Sequence, residues 1–252
     1  MSLSGRAVLI TGASQGVGRG IALAAAGAGA AVAVTARRIE AARAVADEIG
    51  ARGGQAIALS CDAGERASVE AAVAVAIAAF GALHGFVHNA VSGASSLPVL
   101  VEAIPDDNWD DQMRVSFRGT FHCAQAVFAA LRESAGSFIV LTSNAGIEGN
   151  PTLAPYSAMK GAQRGFIKSL AREWGPMGIR VNGVSPVART PAMDRFFATH
   201  PDMVPVISNR AALGRIGDCE KDIGAGVAFL LGEESRFVSG QTLMLTGGAY
   251  ML

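Results

Sequence analysis

Short runs of β-branched and apolar residues alternate with long alanine-rich stretches along nearly the whole chain, and this alternation restricts the fold more than any other feature. Ala7–Thr11, Ala31–Thr35, Gln55–Ser60, Gly85–Val87, Ser137–Thr142, Arg180–Val184 and Thr242–Leu245 read as strands. Most lack the polar alternation of a half-exposed strand, the pattern of parallel strands covered on both faces. Between them Gly16–Ala28, Ile39–Gly50, Ser68–Phe80, Asp106–Glu133, Ala154–Trp174 and Lys221–Leu230 read as helices. Repeated βα order predicts an α/β fold: a doubly wound parallel sheet with right-handed crossovers and helices on both faces. No linker, low-complexity tract or repeat divides the 252 residues, so one domain over 1–252 is expected. The segment from Pro186 to Gly217, with Pro191, Pro201 and Pro205, lacks a period and is predicted to be a long substrate loop.

Charge narrows the function. Lys and Arg number 21 against 21 Asp and Glu, and charged residues are 17% of the chain, which argues against a nucleic-acid partner. An apolar half (50%) rules out wholesale disorder. Cys61, Cys123 and Cys219 are far apart and form no CxxC pair, as expected of small core residues in a reducing compartment. The start, Met1 to Arg6, carries no apolar signal-peptide core. The uncharged run Gly20 to Ala36 is shorter than a bilayer span and is broken by Gly27 and Gly29. A cytoplasmic protein without membrane contact is expected.

The first strand ends in Thr11-Gly12-Ala13-Ser14-Gln15-Gly16-Val17-Gly18 and runs straight into a helix. Glycines let a pyrophosphate approach the backbone, and a helix N-terminus offers free N–H groups and a positive dipole end. At the first strand-to-helix turn of a βα series this points to dinucleotide binding, the alternative being a tight turn with close helix–strand packing. In a later helical stretch Tyr156 and Lys160 stand four apart, so both share one face. An ammonium beside a phenol favours the phenolate, so Lys160 is expected to lower the Tyr156 pKa and make it a usable acid and base.

The Gly-x-x-x-Gly-x-Gly loop, Cys61-Asp62, Asn89-Ala90, Tyr156-x-x-x-Lys160, Arg180-Val181-Asn182 and Pro186 follow one another in an order and spacing that resemble the single-domain short-chain dehydrogenase/reductase family. The closing Leu213-Gly214-Arg215 and Gly240-Gln241-Thr242 resemble it too, so the likeness covers essentially the whole chain. It implies a Rossmann-type fold and a nicotinamide cofactor held by Gly12, Ser14, Gln15, Gly16, Val17, Gly18, Arg37, Arg38, Cys61, Asp62, Asn89, Ala90, Tyr156, Lys160, Pro186 and Thr190. Asp62 would meet the adenine (or else cap the helix near Ser68), and Asn89 would line the ribose pocket. Where an acidic residue would bind the ribose 2′-OH of NAD, the second strand ends in Ala36-Arg37-Arg38. Guanidinium groups suit a 2′-phosphate, so NADP(H) is favoured. NAD(H) is the alternative if the arginines only begin the next helix, and Gln15, where many NADP-preferring relatives carry a basic residue, leans that way.

The resemblance makes Ser143, Tyr156 and Lys160 the catalytic residues, with Ser116 at the fourth catalytic position. Tyr156 would protonate the developing alkoxide as hydride reaches a carbonyl carbon, and Ser143 would stabilise the oxygen. No histidine shows ligand spacing, no metal is expected, and His88 is expected to pack beside the cofactor. Three positions depart from the family pattern: Val91 replaces a glycine, Val187 follows Pro186 in place of another, and Ser116 stands where a fourth catalytic residue, an asparagine, is usual. In relatives that asparagine's backbone is thought to hold a water linking the lysine to solvent. A serine can return its hydroxyl to a carbonyl one turn earlier, so the helix need not be kinked there.

The expected function is an NADP(H)-dependent oxidoreductase interconverting a carbonyl and a secondary alcohol. One alternative is a 3-oxoacyl thioester reductase, for which Arg118, Arg164 and Arg189 are the nearest basic candidates. Another is a cofactor-binding scaffold with weak chemistry. Met193, Phe196, Phe197 and Met203 offer an apolar lining for the substrate loop, and the resemblance implies a homotetramer built on the two longest helices.

Overall fold

Strand β1 (Ala7–Ile10) pairs in parallel with β2 (Ala31–Ala36) on one side and β4 (Gly85–His88) on the other, so the sheet is built outward in two directions from it. The computed structural model, which describes residues 2–251, continues on both flanks. β3 (Gln55–Ser60) lies outside β2, while β5 (Ser137–Leu141), β6 (Arg180–Pro186) and β7 (Thr242–Leu245) follow β4. The order is β3-β2-β1-β4-β5-β6-β7 with every pairing parallel, the doubly wound arrangement expected. Such a sheet opens a crevice at the carboxyl ends of its strands where the winding reverses, here between β1 and β4.

In chain order the helices are α1 (Gly16–Gly27), α2 (Ile39–Ala51), α3 (Arg66–Phe80), α4 (Asp106–Gln112), α5 (Gly119–Ser134), α6 (Ala145–Glu148), α7 (Ala154–Trp174), α8 (Pro191–Thr199), α9 (Met203–Arg210) and α10 (Ala225–Leu231). The strands' period of two divides the core. Val8 and Ile10 join Ile21, Val45 and Val227 from α1, α2 and α10, while Leu9 joins Val73, Val127 and Ile167 from α3, α5 and α7. Each side chain of this size taken from water contributes about 1.5–3 kcal/mol. Two apolar layers therefore fix the strand ends that carry the crevice.

Three predicted elements differ. The helix expected over Asp106–Glu133 is interrupted by a π-helical turn, Met113–Arg118, which contains Ser116. The helix expected over Lys221–Leu230 likewise starts in a π-helical turn, Cys219–Gly224. The extra backbone residue of a π-turn leaves no hydrophobic signature, so periodicity runs through it unbroken. Third, the segment 186–217 is not one irregular loop. It folds α8 and α9, because Pro191 stands in the first turn and the Thr190 hydroxyl accepts a bond from the Met193 N–H at 3.3 Å. Prolines here start helices as well as stopping them.

Candidate active site

The turn between β1 and α1 is shaped by close backbone approach. Gly12 has φ +63°, and a Cβ there would lie 3.0 Å from Ala90 Cα. At Gly18 a Cβ would come within 2.4 Å of the Gly12 carbonyl oxygen. Gln15 makes no capping bond to α1, and Gly16, Val17 and Gly18 line the crevice with the first turn of that helix. Such a cradle fits a pyrophosphate. It is braced from β4: Thr11 Oγ1 accepts the N–H of Asn89 at 3.0 Å and of Ala90 at 3.1 Å, and Asn89 Nδ2 donates to the Thr11 and Gly12 carbonyls at 3.2 and 2.8 Å.

From this cradle a cleft of about 560 Å³ runs from Arg37 to Tyr156. It gathers Gly12, Ser14, Gln15, Gly16, Val17, Gly18, Arg37, Cys61, Asp62, Asn89, Ala90, Tyr156, Lys160, Pro186 and Thr190, the positions expected to hold a cofactor, with one exception. Arg38 is not in the lining. It directly precedes α2 and is exposed, as Arg37 is. Arg37 makes no ion pair among the described residues, and Ala36 leaves no carboxylate beside it. Asp62 does not cap α3: its Oδ1 accepts the Gly64 N–H at 2.9 Å, and its Oδ2 accepts from Arg114 at 3.3 Å. Arg114, which the sequence did not single out, also bonds Glu65 and Asp111.

At the other end Tyr156 faces the cleft, and the Lys160 ammonium lies 5.6 Å from the centre of its ring. Lys160 is 2% exposed and donates to the Leu141 carbonyl at the end of β5. Burial alone lowers its pKa to about 7. The expected lowering of the Tyr156 phenol is not what this arrangement produces. Burial pushes that pKa up and the neighbouring Ser143 hydroxyl partly offsets the rise, while Lys160 is turned toward the Leu141 carbonyl. Ser143 thus meets Tyr156 from the β5–α6 turn, where its Oγ also accepts the Ala145 N–H at 3.1 Å.

Ser116 is in neither the cleft nor contact with Lys160 by any hydrogen bond. It is 1% exposed, and its hydroxyl has no partner. The bond back to a carbonyl one turn earlier is made instead by Thr120, whose Oγ1 donates to the Ser116 carbonyl at 2.7 Å. Gln163 donates to the same oxygen at 2.8 Å. Val91 lines the cleft, but Val187 lines a separate hollow near β7. His88, expected beside the cofactor, is buried behind the cleft, with Nδ1 3.2 Å from Thr11 Oγ1. From the segment expected to cover the substrate, Thr190, Pro191 and Ala192 reach the cleft. Phe197 is buried, and Phe196 stacks on His200 at 4.6 Å. Arg189 is exposed and tied to Asp194 at 2.7 Å, and the Arg164 Nε is buried without a partner.

A family model described as enoyl-(acyl carrier protein) reductase matches residues 12–250. The 3-oxoacyl-[acyl-carrier-protein] reductase of Salmonella typhimurium is 34% identical over the full length of both chains, and that of Staphylococcus aureus strain Mu50 is 35% identical over 98% of each. This chain belongs to the short-chain dehydrogenase/reductase family. Among solved structures, one described as a candidate short-chain alcohol dehydrogenase from Sinorhizobium meliloti 1021 has a TM-score of 0.91 at 32% identity, covering 98% of this chain and 97% of that one. Another, described as ribose-5-phosphate isomerase from Brucella melitensis 16M, has a TM-score of 0.88 at 34% identity, covering 98% and 93%. The short-chain dehydrogenase/reductase described here is an NAD(P)-dependent oxidoreductase. Among its described residues no cluster of side chains suits a metal ion, and no helix is long and apolar enough to cross a membrane.

Proposed function

We propose that this enzyme reduces the 3-oxo group of an acyl thioester with NADPH, Ser143, Tyr156 and Lys160 forming its catalytic set. The observation that carries the reading is the meeting of Tyr156, Lys160 and Ser143 at one end of a cleft whose other end is a glycine cradle with Arg37 beside it. The two 3-oxoacyl reductases matched along their whole length support the substrate class. Arg37 supports the 2′-phosphate, since it is uncommitted and no carboxylate stands at Ala36.

When bound, NADPH supplies the hydride that adds to the carbonyl carbon. Tyr156 gives its phenolic proton to the carbonyl oxygen as the C=O π bond opens, leaving a secondary alcohol and a phenolate. Ser143 donates a hydrogen bond to that oxygen as its charge grows. Lys160, whose ammonium lies 5.6 Å from the centre of that ring, is the neighbouring cation and would have to turn from the Leu141 carbonyl to meet the phenolate left behind. A sugar-phosphate isomerase, the description attached to the Brucella structure, would leave the long arm of the cleft toward Arg37 unused. Spectrophotometric screening of NADPH oxidation against ketones, aldehydes, quinones and 3-oxoacyl thioesters tests the proposal. Turnover should be highest with the thioesters, and turnover with simple ketones alone would reassign the substrate.

A further inference from the structure

Behind Lys160 the site is closed by side chains that carry no charge. Gln163 lies three residues along α7 from Lys160, so the two share a helix face, and it is fully buried. Its Nε2 donates to the Ser116 carbonyl at 2.8 Å and to the Thr120 hydroxyl at 2.9 Å. The amide's orientation follows from the partner: a carbonyl only accepts, so Gln163 must present its nitrogen there. Its Oε1 is left buried with no partner. An apolar side chain of equal length would fill the same space without stranding an acceptor, so the placement makes physical sense through the bond that the nitrogen makes.

His88 backs the same point from the end of β4. Thr11 Oγ1 already accepts two backbone N–H groups, so its own proton goes to His88 Nδ1, the nearer acceptor at 3.2 Å. The ring then carries its hydrogen on Nε2, which is buried without a hydrogen-bond partner. The ionisable groups gathered here are Lys160, His88 and Cys123, whose sulfur is 3.5 Å from His88 Nδ1. Among the described residues no carboxylate bonds to any of them or to Gln163. Lys160 therefore has no counter-charge to draw it into position. Where its ammonium sits depends on where α7 sits.

We propose that Gln163 is a positioning residue for Lys160, its amide tying α7 to the π-helical turn at the Ser116 carbonyl and so fixing the helix that carries both Tyr156 and Lys160. The proposal rests on the roles given to those two residues above. Two substitutions test it with NADPH and a 3-oxoacyl thioester. Gln163→Met keeps length and volume but loses the donor. Gln163→Glu is isosteric and can donate to the Ser116 carbonyl only while protonated, and burial raises its pKa toward neutrality.

In Gln163→Met kcat should fall about ten- to a hundredfold, since sub-ångström to ångström misplacement of reacting groups has effects of that size, while KM and NADPH affinity change little. Gln163→Glu should work near the wild-type rate at low pH and fall to the Gln163→Met rate as its acid ionises, a fall added to the Lys160 ionisation near pH 7 that both proteins share. Wild-type kcat in Gln163→Met, or a Gln163→Glu profile parallel to wild type, would overturn the proposal. If Gln163→Met does not fold, the Gln163→Glu profile still decides, because it compares one protein with itself. Tyr156→Phe, run alongside, separates the two layers. Activity surviving there defeats the catalytic reading, whereas an inactive Tyr156→Phe beside a fully active Gln163→Met defeats the positioning role alone.

Discussion

At the glycine end of the cleft the backbone makes the site, whereas at the Tyr156–Lys160 end buried side chains make it. Gly12 and Gly18 have no room for a Cβ, and the bracing bonds run from Asn89 and Thr11 to main-chain atoms. At the other end Lys160 is held by a carbonyl, Gln163 clamps Ser116, and burial together with the Lys160 charge lowers the proton affinity of His88. The first end needs particular residue types at fixed spacing along the chain. The second needs residues from β4, α5 and α7 to converge, and no spacing records that.

The largest effect is expected at Tyr156. Tyr156→Phe removes the proton donor and leaves the cradle intact, so turnover should drop by about 10²–10⁴-fold with NADPH binding preserved. Stopped-flow turnover with a parallel calorimetric titration checks both halves, and loss of cofactor binding would show that the two ends are not separable. At the opposite end, Arg37→Ala should weaken NADPH by roughly ten- to a hundredfold, the value of one charge-assisted contact, and leave NADH nearly unchanged. Equal losses for both nucleotides in titration calorimetry would remove Arg37 from the 2′-phosphate.

A smaller effect concerns the buried end alone. Burial first, and the Lys160 charge second, lower the His88 pKa from 6.5 to about 3. Between those values the unfolded chain takes up a proton that the folded chain refuses. This contribution to stability is therefore fully present above pH 6.5 and is lost as pH falls toward 3. Denaturant midpoints followed across that range should fall less steeply in His88→Asn than in wild type. Identical slopes would mean that His88 is not the buried neutral group described.

The glycine cradle was legible because it is local: strand, turn and helix are consecutive, and the requirement for glycine is written at each position. The Tyr156–Lys160 pair was legible because a helix places residues four apart on one face. Gln163 carried the same signal, three residues beyond Lys160, but its partner Ser116 lies in a π-turn that hydrophobic periodicity passes over. Arg38 lies outside the cleft lining, and the sequence did not separate its place from that of Arg37. Adjacent arginines are equivalent in sequence, and of the two only Arg37 lines the cleft. The pKa of Tyr156 depends on where the Lys160 ammonium points, which the spacing of the two residues does not contain.

Whether this cleft couples NADPH to a carbonyl through Tyr156 is decided by following the hydrogen. Wild-type enzyme with NADPH deuterated at the transferable C4 position and a 3-oxoacyl thioester should yield a 3-hydroxyacyl product with deuterium on carbon 3, and Tyr156→Phe should form almost none of it. Deuterium retained wholly in the nucleotide while product forms, or equal labelled product from both proteins, would contradict the account.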